Sequence, residues 1–236
     1  MTAPSTDTSY GGRDNLEAMK QATRYNGFLI RLIQKYARGK QVLDHGAGAG
    51  TFAKPIAASG MQVVCMEPDS ALRAGLAAAG LATAARLDDI PAASVDYAYT
   101  LNVLEHIKDD HEAIAELLRC LRPGGRLLVY VPAYPVLYSQ MDAHVGHFRR
   151  YRRASLQQCL QDAGFEVADA YYVDSLGFLA TLVYKLLGNR SGSISPGSVA
   201  MYDALVFPCS RLIDILTLGS FGKNLVVVAN KPREST

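Results

Sequence analysis

Three glycines at alternate positions, Gly46, Gly48 and Gly50, follow an apolar run that ends in an acid, Gln41-Val42-Leu43-Asp44. Glycine admits positive φ and lets a ligand lie directly against backbone, so this stretch reads as a strand running into a loop sized for a phosphate or an amino acid. Thr51-Phe52-Ala53-Lys54-Pro55-Ile56 then opens a helix whose unpaired N–H groups point back at the loop, with proline tolerated in that first turn. A dinucleotide fingerprint requires G-x-G-x-x-G, and here the third glycine comes one place early. An acid two residues before the first glycine sits badly beside a pyrophosphate and well beside an ammonium group. Asp44 is therefore the discriminating residue. Val63-Val64-Cys65-Met66-Glu67-Pro68 is a second apolar run ending in an acid, and Glu67 at such a strand tip is placed to accept both ribose hydroxyls of an adenosine.

A second set of reactive side chains falls between Pro132 and Tyr151, in a segment both polar and aromatic that needs a reason to be ordered. His144 or His147 can remove a proton, Asp142 can orient one of them, and Tyr151 completes the set of catalytic candidates. The adjacent Arg149, Arg150, Arg152 and Arg153 admit two readings. Guanidinium forks match a carboxylate or phosphate on an acceptor, or the cluster is a solvated surface with salt bridges to Asp142 and Glu105, with Arg150 and Tyr151 held apart as exceptions. Glu105 and His106, just after another apolar run, either transfer protons or orient their loop.

The elements that position these groups alternate. Apolar runs at 41–44, 63–66, Ala82–Ala85, Val95–Leu101, Arg126–Val131, Phe165–Val173 and Asn224–Ala229 read as strands. Between them, helical spacing runs to Ala58 before Gly60, over Ser70–Ala79 before Gly80, and over Asp110–Leu121 before Arg122-Pro123-Gly124-Gly125. A further helix, capped by Ser155, buries Leu156, Cys159, Leu160 and Ala163. At the amino end Asn15–Tyr36 is helical, with Gly27 suggesting a break into two helices, and Tyr10 and Tyr25 are placed either to face the site or to pack. Two apolar helical segments, Leu176–Leu187 and Met201–Leu216, flank a loop at Gly188–Gly197. Strand and helix in alternation predict an α/β sheet whose ligands bind at the carboxyl ends of the strands.

The chain has 236 residues, enough for one α/β domain with modest insertions. We divide it into a flexible start with cap helices at 1–39 and a ligand-binding domain at 40–236, which carries a substrate loop at 132–153 and a helical insertion at 175–220. A formal charge of +2 gives no nucleic-acid footprint. Cys65, Cys120, Cys159 and Cys209 lack metal-ligand spacing and read as reduced core residues, so no metal is expected. The first residues lack the apolar core of a signal peptide, and the apolar segments near 173–188 and 204–221 are interrupted by charges. The expected location is the cytoplasm, with a peripheral contact at the inner membrane surface left open.

The run hydrophobic-hydrophobic-Asp44-x-Gly46-x-Gly48-x-Gly50, followed by Glu67 at the next strand end, resembles the class I methyltransferases that use S-adenosylmethionine (SAM). Val103-Leu104-Glu105-His106 is similar to a stretch after the fourth strand in quinone-biosynthesis and related small-molecule methyltransferases, and Leu121-Arg122-Pro123-Gly124-Gly125 is another element of that pattern. Asp142-x-x-x-Gly146-His147-x-Arg149-Arg150-Tyr151 is similar to a segment of bacterial methyltransferases found beside glycosyltransferases. The resemblance implies a Rossmann-like seven-stranded sheet of order 3-2-1-4-5-7-6, with strand 7 antiparallel and helices on both faces. It implies SAM as cofactor and S-adenosylhomocysteine (SAH) as product, held by Asp44, Gly46, Ala47, Gly48, Gly50, Glu67, Pro68, Asn102 and Val103. Arg86 stands where relatives carry an acid beside the adenine amino group, which leaves Asp88 or the backbone of Leu87 to read adenine. The expected reaction is methyl transfer to a small or lipid-linked acceptor at oxygen. The alternatives are a nicotinamide-dependent oxidoreductase, a non-catalytic protein of the same fold and, less favoured, an RNA methyltransferase.

Overall fold

A computed structural model describes residues 21–187 and 196–233. Seven strands form one sheet: β1 (Gln41–His45), β2 (Gln62–Met66), β3 (Ala82–Ala84), β4 (Val95–Leu101), β5 (Leu121–Pro132), β6 (Glu166–Val173) and β7 (Asn224–Asn230), in the order β3-β2-β1-β4-β5-β7-β6. Neighbours from β3 through β5 pair parallel, and β7 runs antiparallel to both β5 and β6. The expected sheet order and the reversed seventh strand are both present. Because β7 is reversed, its amino end shares an edge with the carboxyl ends of the other strands.

The central strands are apolar on both faces, as a sheet covered by helices on each side requires. Leu127 and Val129 of β5 point into one core layer with α4 (Asp110–Cys120) and α6 (Arg153–Asp162), while Leu128 and Tyr130 point into the other. That second layer is closed by α1 (Thr23–Tyr36), which buries Phe28, Leu29, Leu32, Ile33 and Tyr36, and by Ile56 of α2 (Ala53–Ala58). Near the site lie α3 (Ser70–Ala78) and the short α5 (Gln140–His144). After β6 come α7 (Ser175–Leu187) and α8 (Pro196–Met201), which continues through a π-turn at Tyr202–Val206 into α9 (Phe207–Leu216).

Several local expectations are corrected. Gly27 does not break α1, which is continuous through it. A mid-helix glycine costs about 1 kcal/mol relative to alanine, and the buried stripe from Phe28 to Tyr36 outweighs that. Tyr10 and residues 15–20 of the expected leading helix, and most of the 188–197 loop, lie outside the described residues. Ser155 is not the cap residue: α6 starts at Arg153, and Ser155 Oγ accepts from the Arg152 N–H at 3.2 Å. β5 begins at Leu121, so the Arg-Pro-Gly-Gly segment is a bulge within the strand, with the register slipping between Val95 and Tyr97. Cys65, Cys120 and Cys159 are buried, but Cys209 is exposed, because α9 turns Phe207, Ser210 and Asp214 inward instead.

The amino end of α1 has no capping side chain of its own, since Ala22 precedes it. Asp203, in the π-turn, accepts the N–H groups of Arg24 at 2.9 Å and Tyr25 at 2.8 Å. These are two of the donors every helix leaves unpaired at its start, so a residue far along the chain caps α1.

Candidate active site

The carboxyl ends of β1, β2 and β4, the amino end of β7 and the first turns of α1 surround a cavity of about 590 Å³, a volume that encloses a small ligand. At one end the glycine loop forms its wall. Gly46 has φ +79°, and a Cβ there would stand 2.4 Å from Val103 Cγ2, so glycine alone keeps β1 this close to the segment after β4. The Gly48 N–H donates to Glu67 Oε2 at 2.7 Å, and the Asp69 N–H donates to Glu67 Oε1 at 3.0 Å. Glu67 thus ties the loop to the start of α3, which Asp69 caps through Ala71 and Leu72.

Asp44 stands one residue behind this wall, 3% exposed, with Oδ2 accepting from the Tyr99 hydroxyl at 2.8 Å. Burial pushes its carboxyl up to about 7, against the Tyr99 hydrogen bond and with Glu67 adding to the rise. Two carboxylates under one loop make a place for a cation. His45, which the sequence did not single out, lines the cavity, and its Nδ1 lies 3.0 Å from Thr100 Oγ1. Burial lowers that imidazole to about 4, so it is neutral.

At the far end the polar groups come from the 132–153 segment and from Glu105. Asp142 is fully buried and accepts from His147 Nδ1 at 2.8 Å and from Arg150 Nε and Nη2 at 2.8 and 3.0 Å. Burial pushes Asp142 up, but His147 and Arg150 outweigh it and hold the carboxyl down at about 2. With Nδ1–H committed to Asp142, His147 presents Nε2, as an acceptor, toward Glu105 Oε1 3.9 Å away. Glu105 is wholly buried, and neither carboxylate oxygen has a hydrogen-bond partner from another residue. Burial raises it to about 8, with its own backbone N–H and Arg150 opposing, so it is protonated at neutral pH. The His106 ring packs edge-on against that of His147 at 4.6 Å, and burial lowers it to about 4.

Of the residues proposed from sequence for the cofactor, Gly46, Ala47, Gly48, Glu67, Pro68, Asn102 and Val103 line this cavity together. Asn102 holds φ +54°, a conformation asparagine tolerates better than most. Asp44 and Gly50 lie behind the wall; Leu87 and Asp88 lie away from it, with Leu87 in the core and Asp88 paired to Arg86. Of the four catalytic candidates His147 alone lines the cavity. Asp142 supports it, His144 is exposed on α5, and Tyr151 is buried with its hydroxyl donated to Asp110 Oδ2 at 2.6 Å. Within the arginine cluster, Arg150 pairs with Asp142, whereas Arg149 pairs with Asp110 and not with Glu105. Lys223 and Asn224 at the amino end of β7 also line the cavity and were missed. The reversed strand was the available signal, because it brings its first residues to the ligand edge.

Glu105, His106 and His147 each offer one ligand atom within 4.8 Å of the others, as do Asp110, His111 and Cys159, spacings that a divalent ion could bridge. The reading without a metal predicts that EDTA leaves turnover unchanged within about twofold. Loss of turnover restored by a divalent ion would instead make the first trio its ligands.

The family described as "Methyltransferase domain" matches residues 18–170, more than half of the chain. The chain belongs to the SAM-dependent methyltransferases. A Mycolicibacterium smegmatis protein named "Probable S-adenosylmethionine-dependent methyltransferase" is 33% identical to this methyltransferase over 72% of the present chain and 66% of its own. An uncharacterized methyltransferase of Mycobacterium sp. (strain JLS) is 41% identical over 45% of this chain and 43% of its own. In both cases the match spans less than two thirds of the relative's length. A SAM-dependent methyltransferase from Archaeoglobus fulgidus shares the fold with a TM-score of 0.63 and 15% identity, covering 93% of this chain and 100% of that one. For this methyltransferase family SAM is the methyl donor, which sets aside the nicotinamide reading.

Proposed function

We propose that this methyltransferase transfers the methyl group of SAM to an oxygen of a small or lipid-linked acceptor. The observation that carries the reading is one continuous cavity with a glycine-walled end at Glu67, Asp44 standing just behind it, and His147, held by Asp142 from behind, at the other. Asp44 balances the ammonium of SAM, Glu67 turns from Gly48 to the ribose, Gly46, Ala47, Gly48, Pro68, Asn102 and Val103 give the contact surface, and Gly50 allows the loop its turn. Displacement at a sulfonium needs no covalent enzyme intermediate. Alignment of acceptor, methyl and sulfur supplies several kcal/mol, up to about 7–11 in favourable cases. His147, oriented by Asp142, takes the acceptor proton at Nε2 as the oxygen attacks, and Tyr151 anchors the substrate segment from behind. The division into cap, methyltransferase domain, substrate loop and helical insertion belongs to this reading, as do action beside glycan- or quinone-modifying enzymes, a cytoplasmic site and contact with the inner membrane surface.

Calorimetric titration with SAM, SAH and NADH in parallel, followed by a labelled-methyl acceptor screen, tests it. Micromolar binding of both adenosyl compounds without NADH is expected, then label released from the product by chemistry that cleaves methyl ethers or esters. A stable N- or C-methyl product would overturn oxygen as the acceptor atom.

A further inference from the structure

The body of the protein hides its large apolar side chains, and the 175–220 segment does not. Apart from Val136 and Phe148, every exposed large hydrophobic residue among the described ones lies in that segment. On α7, Leu179, Val183 and Leu186 recur at i, i+4 and i+7, a single stripe, with Leu186 74% exposed. Along the π-turn and α9 the outward positions include Leu205, Leu212 and Leu216, the last 82% exposed. Scattered exposed leucines need no explanation, but two such stripes on helices packed against each other do.

The exposed charge that the segment itself carries is one-sided. Asp203 and Asp214 of the segment are buried, as is Asp174 before it, and Arg211 is engaged with Asp214 and lies over the Phe28 ring. Among the described residues that leaves Lys185 exposed on α7, beside Val136, whose carbonyl it meets at 2.7 Å. Arg153 lies over the Tyr172 ring, Tyr172 stacks on Tyr134, and Tyr134 meets Phe178 of α7, so the exposed Arg152 and Arg153 border the same helix. No helix is long and apolar enough to cross a membrane among the described residues.

We infer that the outward face of α7, α8 and α9, rimmed by Lys185, Arg152 and Arg153, seats on an anionic lipid bilayer, lying on the surface and not spanning it. Apolar stripes buried at headgroup depth with a basic rim over acidic lipid are how interfacial helices bind. A second copy of the chain would bring the same basic rim and no exposed acid from this segment to meet it; anionic headgroups supply that countercharge. The inference deepens the lipid-linked-acceptor reading and rests on it for its purpose, since Val136 and Arg153 belong to the segment that carries His147.

The test is sedimentation of the full chain with vesicles of pure phosphatidylcholine and of phosphatidylcholine with about 30% phosphatidylglycerol, at low and high salt, with SAH binding measured on the same samples. Binding to the anionic vesicles is expected, weakened several-fold by salt, and reduced at least tenfold in the double variant Val183→Glu, Leu212→Glu. Both positions are exposed, so the melting temperature and SAH affinity of the variant should match the parent. A parent that stays in the supernatant, or a double variant that binds as well as the parent, overturns the inference. A dimer that the double variant dissociates, with no vesicle binding, assigns the face to a second copy. Vesicle binding without SAH binding would leave the docking face standing and remove the methyltransferase reading.

Discussion

Replacing Asp44 by Ala is expected to weaken SAM binding by about 30-fold or more in calorimetry. Truncating one partner of a buried charge pair costs about 2–5 kcal/mol, much of it from leaving the other charge uncompensated. Here the other charge is the ligand's ammonium, and the second acid, Glu67, is already occupied by two backbone N–H groups. The pH dependence separates this role from simple packing. Burial holds Asp44 at about 7 and Glu105 at about 8, whereas unfolded carboxyls titrate at about 4. Between those values the folded state holds more protons than the unfolded one, so stability falls as pH rises. The contribution is whole below about pH 4 and is lost as pH climbs through 7 to 8. Melting temperatures without ligand should therefore decline from pH 5.5 to 8.5, while the gain produced by SAH should grow over the same range as Asp44 ionises opposite the ammonium. Asp44→Asn should flatten part of the first trend and abolish the second. Near-normal SAM affinity in Asp44→Ala would remove the assignment.

His147→Gln should lower kcat by 10²–10⁴-fold, the usual range for a lost general base, with KM for the acceptor changed by less than about threefold and SAH affinity unchanged. The physical ground is the fixed tautomer: Asp142 holds Nδ1–H at 2.8 Å, leaving Nε2 as the acceptor on the cavity side. His144→Gln, at an exposed position, should leave turnover within about twofold. Asp142→Asn is the less informative variant, because the same carboxylate also takes Arg150 in two-point contact and its loss would loosen the whole segment. Turnover of His147→Gln within about fivefold of the parent would mean that alignment alone drives transfer.

The first two parallel strands were the most legible because each ends in a pattern that physics restricts: an apolar run, then glycine or an acid at the ligand edge, Asp44 and Gly46 for β1 and Glu67 for β2. The glycine loop and Glu67 came together in space as their spacing implied, since a residue at a strand tip has few places to go. The acceptor end was harder. The spacing of Asp142 and His147 did not disclose which histidine would turn inward, because that depends on Arg150 occupying the other side of the same carboxylate. Nothing local marks Lys223 either; its place follows only from the direction of β7. Gly27 misled for the opposite reason, a local preference overruled by burial along the rest of α1.

The cap that Asp203 places on α1 limits how this enzyme can be recombined. Tyr25, whose N–H is held by that cap, belongs to the cavity wall, whereas Asp203 belongs to the π-turn in the 175–220 segment. Exchanging residues 175–220 for those of a relative that lacks an acid at this position would strip two N–H groups at the start of α1 of their acceptor. The graft would then lose grip on its methyl donor, even though no residue of the glycine loop had been touched. Donor retention and the 175–220 segment are therefore expected to be inherited as one unit, and chimeras that keep α1 together with its own π-turn are the ones expected to survive.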